Sequence, residues 1–459
     1  MDQLTIEELP YTVDSAPLFA NFLDLEQPIY LDSCAPYSAR GRYDIFTAEP
    51  LKSIKQRDTY YLNSLGYKDK VNYFLTLKQT LDELTPRINN DYHLPFVGGA
   101  LGYFGYDLSR QLEQLPTIPD TAVQEPSLAD AVVGIYSWAV IIDHRQQRSL
   151  LVAHPQTNNR LLKEVRQRLK GCDRRKVAEF KLCSAFQSNM SGEEYAAAFQ
   201  RIKDYIDAGD CYQINLAQRF SASCEGDPWA AYQVLRATAA APFSAYMKVE
   251  NSAILSMSPE RFLHVGNQRV TTSPIKGTIG RGNTPEADAK QVQQLLHSAK
   301  DRAENVMIVD LLRNDLGKSC EPGSIQVNEL FELQSFATVH HLVSTITGQL
   351  TTKLSPLQLL AGCFPGGSIT GAPKVRAMEI IAELEPHRRS VYCGSLGYIS
   401  CDGQMDTNIA IRTMVQEGDQ IHCWAGGGIV ADSNCDSEYQ ECLTKVEQLL
   451  AVLAAPLQP

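Results

Sequence analysis

The sequence predicts an α+β fold built on antiparallel β-sheets. Segments of strand character follow one another at short spacing, at 132–143, 148–153, 211–220, 253–257, 262–265 and 268–272. Segments with helical periodicity are inserted between these strands, at about 70–84, 159–169 and 192–208. Since strands that are joined by short turns pair antiparallel, this order favours antiparallel sheets with helices over a doubly wound parallel fold.

Length and composition predict a soluble globular protein of one large or two ordinary domains. The 459 residues are 44% hydrophobic and 21% charged. The formal net charge of −11, from 42 basic and 53 acidic residues, argues against nucleic acid as a partner. The first residues lack a signal-peptide pattern, and no apolar run approaches the roughly 20 residues that a membrane span needs. We therefore expect a cytoplasmic protein with no membrane partner.

A polar stretch, residues 172–190, predicts a linker between two regions. We expect an N-terminal region over residues 1–185 and a second region, with the motifs described below, over residues 190–455. The twelve cysteines are scattered, with no C-x-x-C pair and no histidine at zinc-finger spacing. This pattern indicates reduced thiols and favours neither a disulfide framework nor a structural zinc.

A lysine, Lys276, stands between an apolar residue and a glycine in the segment SPIKGT at 273–278. We predict that it lies in a loop at the end of a strand, where the backbone is rigid and a ligand can approach. An amine attacks carbon only when it is neutral, so burial would have to lower its pKa from about 10.4 to roughly 7–8. The alternative interpretation is a solvated loop lysine.

Carboxylates on two predicted helices indicate a metal site. Glu304 lies on the otherwise apolar face of a helix that ends at Gly317, where a carboxylate needs a cation. Glu438, Glu441 and Lys445 share one side of the last helix. Mg²⁺ held by one or two carboxylates, water and a substrate anion fits Glu304 with Glu441. The alternatives are a glutamate that reaches solvent and an exposed salt-bridged face.

Three glycine-rich segments lie at 96–107, 364–374 and 424–430. The first has neither the spacing nor the lysine of a phosphate-binding loop, so we expect its glycines to let strands pack closely. Adjacent backbone N–H groups in the second and third can bind carboxylates, and the second begins a helix whose N-terminus favours negative charge. The alternative is that both are only turns.

Six motifs in this order resemble the chorismate-utilising enzymes. They are PIKGT at 274–278, the segment 304–315, HLVS at 341–344, GAPKVRAM at 371–378, GSLGYIS at 394–400 and E-x-x-E-x-x-x-K at 438–445. The resemblance is strong over about 190–455 and weaker at the glycine-rich segment 98–107. It implies a fold in which two antiparallel β-sheets pack together with helices on the outside.

The resemblance also implies roles for individual residues around chorismate and Mg²⁺. The implied metal ligands, which face the ring carboxylate, are Glu304 and Glu441, with Glu438 and Lys445 in close support. The implied ligands of the enolpyruvyl carboxylate are Arg412, Tyr398 and the amide of Gly428. The implied neighbours of the ring are Gly277, Thr278, Ser368 and His341, and the implied general acid for the departing 4-hydroxyl is Glu260.

Two positions select a branch of the family. Lys276 stands where anthranilate-forming members usually have alanine, which implies that its amine adds at C2 of chorismate as the hydroxyl leaves C4. Ammonia would then add at C4 and expel the lysine. Gln213 stands where isochorismate-forming and salicylate-forming members carry a lysine that activates water, and glutamine cannot act as that base. These positions favour amination at C4, which feeds 4-aminobenzoate and folate synthesis. The alternatives are the anthranilate-forming reaction and a non-catalytic relative that only binds chorismate.

The resemblance implies two further partners. The sequence has no Gly-x-Cys-x-Gly elbow of a glutamine amidotransferase, so ammonia is either free or supplied by a separate glutaminase subunit, and the resemblance implies the latter. Ser33, Arg42, Tyr43 and Asp44 resemble the region where relatives bind tryptophan. Regulation by tryptophan, stabilisation by tryptophan and an empty pocket are all open at this point.

Overall fold

The computed structural model describes residues 3–34, 41–57, 60–62, 68–70, 72–113, 115, 128–171, 177–336 and 339–454. The strands of these residues form two large antiparallel sheets with one core between them, and helices pack on the outside. The predicted α+β fold of two packed antiparallel sheets is thus confirmed.

The first sheet contains strands from both halves of the chain. Its strands are β1 (Thr5–Leu9), β2 (Ile29–Asp32), β3 (Tyr43–Thr47), β9 (Trp138–Asp143), β10 (Arg148–Ala153), β11 (Lys181–Leu182), β12 (Gln187–Ser188), β13 (Gln213–Glu225), β14 (Phe243–Val249), β15 (Ser252–Ser258), β21 (Gly371–Ala372), β24 (Thr413–Glu417) and β25 (Gln420–Val430). Their order is β1-β10-β9-β3-β2-β14-β15-β24-β25-β13-β11, and β12 and β21 also pair with β13. The long strands β13 and β25 therefore lie near one edge of this sheet.

The second sheet is also antiparallel. Its strands are β4 (Lys52–Gln56), β7 (Gly99–Phe104), β8 (Ala131–Tyr136), β16 (Arg261–Gly266), β17 (Arg269–Ser273), β18 (Ile275–Gly280), β19 (Gln326–Ser335), β20 (Val339–Gln349), β22 (Ser395–Ser400) and β23 (Met405–Asn408). Their order is β18-β20-β17-β16-β23-β22-β7-β8-β4, and β19 also pairs with β20. The short strands β5 (Tyr60–Leu62) and β6 (Lys68–Lys70) pair with each other.

The helices connect the strands and cover the sheets. They are α1 (Ala16–Phe19), α2 (Tyr73–Leu84), α3 (Asn159–Lys170), α4 (Gly192–Asp207), α5 (Pro228–Ala239), α6 (Pro285–His297), α7 (Ala299–Gly317), α8 (Pro356–Cys363), α9 (Lys374–Leu384) and α10 (Cys435–Ala454). Short 3₁₀ turns lie at Ala20–Phe22, Tyr106–Gln111 and Gly367–Ile369. Within the described ranges, no helix combines the length and the apolar character that crossing a membrane requires.

Strand β9 illustrates how apolar residues fill both sides of the first sheet. Ala139 and Ile141 point into the core between the two sheets. Trp138, Val140 and Ile142 point the other way, into a cluster under α1, α3, α5 and α10. Because successive strand residues face opposite sides of a sheet, a continuous apolar run of this kind indicates a strand that is covered on both faces.

The predicted single strand at 132–143 is two strands in different sheets. It breaks at Ser137, which separates β8 of the second sheet from β9 of the first. Two packed sheets can share a chain that turns a corner between them, and both halves of the segment are fully buried, so hydrophobicity alone does not reveal the break. The predicted hairpin of this run with 148–153 is confirmed for β9 and β10.

Strands from the predicted regions 1–185 and 190–455 lie together in each large sheet, and the division of the chain at 185–190 stays a prediction. Residues 172–176 of the predicted linker lie outside the described residues. Later in the linker, β11 and β12 pair with β13. This part of the linker is therefore attached to the edge of the first sheet.

The glycines of the 96–107 segment allow close strand packing, as predicted. A Cβ atom on Gly102 would lie 2.2 Å from the carbonyl oxygen of Val132, and one on Gly99 would lie 2.4 Å from that of Ile399. Neither distance leaves room for a side chain. These glycines therefore let β7 approach its neighbours β8 and β22.

A buried ion pair joins α5 to the first sheet. Arg236 donates from Nε to Oδ2 of Asp32 at 2.7 Å and from Nη2 to Oδ1 at 3.1 Å. Tyr232 donates to the same carboxylate at 2.9 Å. The arginine side chain is 1% exposed and the aspartate side chain is fully buried, so neither charge has access to water as a substitute partner.

Replacing Arg236 with methionine should lower the free energy of unfolding by about 3–5 kcal/mol, because Asp32 would stay buried without its cation. Urea denaturation followed by circular dichroism measures the change. Arg168→Met is the matched control, since the Arg168 pairs with Asp24 and Glu164 are partly exposed and contribute at most about 1 kcal/mol. Equal losses in the two variants would contradict the expectation.

Candidate active site

The lysine selected from the sequence lies within a β-strand. Lys276 is the second residue of β18, at the edge of the second sheet, and not in the predicted loop. The pairing of β18 with β20 shifts between Ile275 and Thr278, which indicates a β-bulge at Lys276 and Gly277. A bulge bends a strand and re-aims its side chains. Gly277 has a φ of 91°, a conformation that glycine adopts readily.

Charged groups from three other parts of the chain surround the half-buried Lys276 side chain. Burial lowers the pKa of its ammonium group, and the nearby Lys445 ammonium lowers it further. The carboxylates of Glu304, Glu260 and Glu441 act in the opposite direction. Because the pKa is lowered overall, more of the neutral amine is present near neutral pH than for an exposed lysine.

Glu260 is a buried carboxyl group beside this amine. The hydroxyl of Ser368 donates a hydrogen bond to its Oε1 at 2.7 Å. Burial raises the pKa of Glu260 to about 7, although the Ser368 hydrogen bond and the Lys276 ammonium lower it. A carboxyl group with this pKa is protonated in part of the molecules at neutral pH and can act as an acid. Ser368, which was expected along the ring, thus contacts Glu260.

Glu304 lies on α7 with 14% of its side chain exposed. Burial raises its pKa, while the ammonium groups of Lys276 and Lys300 lower it. The Lys300 Nζ atom is 4.0 Å from Oε1 of Glu304. The carboxylate therefore has cations nearby, as an acidic group on an apolar helix face requires.

Two glutamates of α10, Glu438 and Glu441, each pair with a lysine. Glu438, 2% exposed, accepts hydrogen bonds at Oε1 from Lys300 at 2.9 Å and from Ser433 at 2.7 Å. Glu441 pairs with Lys445 at 2.8 Å. Burial alone would raise the pKa of Glu441, but the adjacent ammonium groups hold it below its ordinary value. These pairs leave Glu441 ionised beside the Lys276 amine.

His341 and Thr278 lie side by side on β20 and β18. The Oγ1 atom of Thr278 is 2.7 Å from Nδ1 of His341. The ring of Phe336 packs edge-on against the imidazole, with ring centroids 5.3 Å apart. Because His341 is 2% exposed, these contacts fix the orientation of its ring.

Strands β13 and β25 bring Gln213 and Gly428 together. A Cβ atom on Gly428 would lie 2.1 Å from Nε2 of Gln213, so the glycine leaves space for this amide in its present position. Arg412 is half-buried directly before β24, and burial lowers its pKa. In the part of the chain that the structure describes, no carboxylate forms an ion pair with Arg412, which suits a guanidinium that binds an anionic ligand.

Tyr398, expected to bind the same carboxylate as Arg412, lines a cavity whose walls do not include Arg412. This cavity has a volume of about 290 Å³ and lies between the β2–β3 hairpin and the second sheet. Its walls include Ser33, Arg42, Tyr43, Phe243, Phe336 and Tyr398. Burial raises the pKa of Tyr398 well above its usual range, and the charge of Asp406 adds to this effect. The structure thus brings Tyr398 to three of the four residues predicted to bind tryptophan.

The fourth of these residues, Asp44, supports the wall of the cavity. It is fully buried and accepts hydrogen bonds at Oδ1 from the hydroxyl of Ser33 at 2.6 Å and from its amide at 2.9 Å. Its Oδ2 lies 2.9 Å from Nε2 of His144. Burial alone would raise the pKa of Asp44, but the His144 contact and the donors on Ser15 and Ser33 hold it below its usual range.

Sequence reasoning missed several residues that support the site. Lys300 is four residues before Glu304 on the same helix, a spacing that could have identified it. The Ser368 contact with Glu260 spans 108 residues, and no local pattern signals it. His144 lies 100 residues from Asp44 and had no local signal either.

Together these groups can perform a substitution in which an amine attacks carbon and an acid protonates the leaving group. Lys276 supplies the amine, and Glu260 supplies a carboxyl group with a pKa of about 7. Arg412 can bind an anionic group of the substrate, and the glutamates of α7 and α10 provide hard oxygen donors.

Comparisons with known proteins identify the family of this chain. The family model described as chorismate binding enzyme matches residues 27–451. The chain is 49% identical over 421 residues to aminodeoxychorismate synthase component 1 of Escherichia coli (strain K12), covering 91% of this chain and 90% of the relative. It is 46% identical over 453 residues to the protein of the same name from Salmonella typhimurium, covering 97% of both.

A solved structure agrees as well. Anthranilate synthase component I from Streptococcus pneumoniae matches with a TM-score of 0.77 at 30% identity, over 90% of this chain and 93% of that chain. The likeness in fold and the match to the family model both extend over most of the sequence. This chain therefore belongs to the family of chorismate binding enzymes.

Proposed function

We propose that this chorismate-utilising enzyme is the catalytic subunit of an aminodeoxychorismate synthase, which converts chorismate and ammonia to 4-amino-4-deoxychorismate. Two relatives at 46% and 49% identity carry this name. The observation that supports the proposal most directly is the Lys276 amine, whose pKa burial lowers and which lies beside the acid Glu260 and the carboxylate of Glu304. The product would feed 4-aminobenzoate and folate synthesis.

In the first step the Lys276 amine forms a bond to C2 of chorismate. Both ring double bonds shift, from C1=C2 to C1=C6 and from C5=C6 to C4=C5, and the bond between C4 and the hydroxyl oxygen breaks. Glu260 donates its proton to this oxygen, which leaves as water. The balance is a lysine adduct with a cationic nitrogen, one water molecule and an ionised Glu260. A nucleophile of this kind divides one difficult substitution into two easier ones.

In the second step ammonia forms a bond to C4 of the adduct. Both double bonds return to C1=C2 and C5=C6, and the bond between C2 and the Lys276 nitrogen breaks, so the lysine leaves as a neutral amine. The new substituent is an ammonium group, and Glu260 regains a proton from it or from water. The net reaction exchanges a hydroxyl group for an amino group at one carbon.

Anchoring of the two substrate carboxylates would hold C2 within reach of the lysine. Arg412, which has no carboxylate partner among the described residues, would bind the enolpyruvyl carboxylate with the amide of Gly428. Gly277, Thr278 and His341 would lie along the ring. Holding the reacting atoms in this way converts a bimolecular encounter into an intramolecular one.

The residues present fit Mg²⁺ as a bound cation, because carboxylate oxygens are the ligands it prefers. No cluster of three or more metal-binding side chains occurs in the described ranges, so two glutamates with water and substrate are the donor set that we propose. Glu304 and Glu441 would hold the ion, with Glu438 and Lys445 in support. When bound, Mg²⁺ would neutralise the ring carboxylate and withdraw charge from the ring.

Ammonia would come from a separate glutaminase subunit. The sequence lacks the cysteine elbow of a glutamine amidotransferase, and the similar relatives are named as component 1 of their enzyme. Gln213 is buried beside Gly428. Its side-chain amide is not basic and cannot activate a water molecule for attack. Ammonia, which needs no such base, is therefore the nucleophile that suits this site.

The cavity between the β2–β3 hairpin and the second sheet would bind tryptophan. Its aromatic walls, from Tyr43, Phe243 and Phe336, suit an indole ring. Ser33 and Arg42 add polar groups at the cavity. A pocket with apolar walls and a few polar groups is typical of small-molecule sites.

Replacing Lys276 with alanine should reduce formation of aminodeoxychorismate from chorismate and ammonium by at least about 10³-fold, because the nucleophile is lost. Lys276→Arg should be equally inactive, since a guanidinium stays protonated. Any product of the alanine variant should be anthranilate, from direct attack at C2. Liquid chromatography with mass detection of both products measures the outcome.

Lys290→Ala, on the exposed face of α6, is the matched control and should keep full activity. An active Lys276→Arg variant would assign the lysine an electrostatic role and would refute the covalent step. Anthranilate as the product of the unaltered enzyme would refute the proposed reaction.

Removing divalent cations with EDTA should abolish activity, and added Mg²⁺ should restore it. In the Glu441→Gln variant, the Mg²⁺ concentration for half-maximal activity should rise at least about 10-fold, because a ligand charge is lost. Glu447→Gln, on an exposed position of the same helix, should leave that concentration unchanged. Full activity in the presence of EDTA would contradict the metal site.

Replacing Ser33 with leucine should prevent tryptophan from binding, because the larger side chain would fill part of the cavity. Isothermal titration calorimetry with tryptophan measures this loss. Ser188→Leu, exposed on β12, should bind as the unaltered protein does. If the unaltered protein, Ser33→Leu and Ser188→Leu all bind tryptophan saturably with the same affinity, tryptophan binds outside this cavity.

A further inference from the structure

A buried ion pair fastens the turn that contains Ser368 to strand β13. Arg389 donates to both carboxylate oxygens of Glu385, from Nε to Oε2 at 2.9 Å and from Nη2 to Oε1 at 2.6 Å. Its Nη1 donates to the carbonyl oxygen of Ile369 at 3.0 Å, and its Nη2 donates to that of Asn215 at 2.7 Å. One guanidinium thus joins the residue after Ser368 to the strand.

Glu385 and Arg389 each make a further contact that fixes the position of the pair. Oε1 of Glu385 also accepts the amide of Ala217 at 2.8 Å. The Arg389 guanidinium lies over the ring of Tyr106, 4.8 Å from its centroid. Both members of the pair are buried, at 6% and 2% exposed. A buried pair adds little net stability over apolar residues, so its presence here suggests a role in geometry.

The turn itself has little freedom to move. A Cβ atom on Gly366 would lie 2.6 Å from Cδ1 of Ile409, and one on Gly367 would lie 2.6 Å from Cδ2 of Leu311. The amide of Asn215 donates to the carbonyl oxygen of Thr370 at 2.8 Å. The backbone of the turn is therefore in contact on both sides.

We propose that the Glu385–Arg389 pair is a positioning unit of the active site, which holds the 366–370 turn so that Ser368 aims the proton of Glu260. Ser368 donates to Oε1 of Glu260. Oε1 of Glu260 can accept this bond whether the carboxyl group is ionised or protonated. Because Oε1 accepts the hydroxyl of Ser368, the proton of the carboxyl group is directed to Oε2. The pair thus acts on the reaction through Ser368 and not by touching the substrate.

This inference rests on the proposed role of Glu260 as the acid. The groups that influence its charge are the Ser368 hydroxyl, the Lys276 ammonium and the backbone at Ile275, and Cys393 lies near enough to respond to that charge. The Ser368 hydrogen bond stabilises the ionised carboxylate and so opposes the rise in pKa that burial causes. Loss of the bond should therefore raise the pKa above about 7.

Infrared difference spectroscopy tests the proposal, because it follows the band of the protonated carboxyl group as the pH is changed. Glu260→Gln identifies the band by its absence. In Ser368→Ala the midpoint of titration should rise by about one pH unit, since a hydrogen bond to a charged group is lost. Arg389→Lys should shift it in the same direction, and Ser368→Thr should restore the original midpoint.

Arg236→Lys is the matched control, because it alters a buried arginine pair whose charges are not among those that shift the pKa of Glu260, and it should leave the midpoint unchanged. If the Arg389→Lys variant fails to fold, Glu385→Gln is used in its place, because the glutamine keeps an oxygen that accepts the Ala217 amide. The Glu385→Gln variant should also shift the midpoint upward. An unchanged midpoint in the Ser368 or pair variants would overturn the proposal. Full amination activity in Glu260→Gln would instead overturn the role of Glu260 as the acid, on which this inference rests, whatever the midpoints are.

Discussion

The proposed catalytic site depends on burying an amine and a carboxyl group next to each other. Loss of water disfavours the charged form of each group, so it lowers the pKa of Lys276 and raises that of Glu260. Their mutual attraction limits both shifts without reversing them. Burial therefore favours the neutral amine of Lys276 and the protonated carboxyl of Glu260, the forms that a reaction with an attacking amine and a protonated leaving group requires.

The charged side chains near Lys276 form ion pairs with one another. Lys300 bonds to Glu438, and Lys445 bonds to Glu441, so the charges on α10 are matched before any substrate arrives. The bulge at Lys276 directs the amine toward this group from the edge of the second sheet. Two sheet edges and two helices thus meet at one place, and burial there shifts the pKa values of Lys276 and Glu260.

Local patterns in the sequence predicted several secondary-structure elements of this site, but they did not predict the contacts between these elements. The acidic side of α10 could be read from residue spacing, and the two packed sheets followed from the resemblance to a family. The position of Lys276 in a strand could not be predicted, since a bulge depends on a partner strand more than 60 residues away. The break at Ser137 was hidden because both strands beside it are buried on both faces. The Ser368 contact and the placement of Tyr398 depend on how the sheets pack, which spacing along the chain does not encode.

The central claim is that the Lys276 nitrogen becomes bonded to the ring. Rapid quenching of the enzyme with chorismate and Mg²⁺ in the absence of ammonia, followed by mass spectrometry of the intact chain and its peptides, tests this directly. We expect a mass increase equal to chorismate less one water, located at Lys276, which disappears when ammonium is added. An adduct on another residue, or an enzyme that aminates chorismate with Lys276 unmodified at every quench time, would contradict the account.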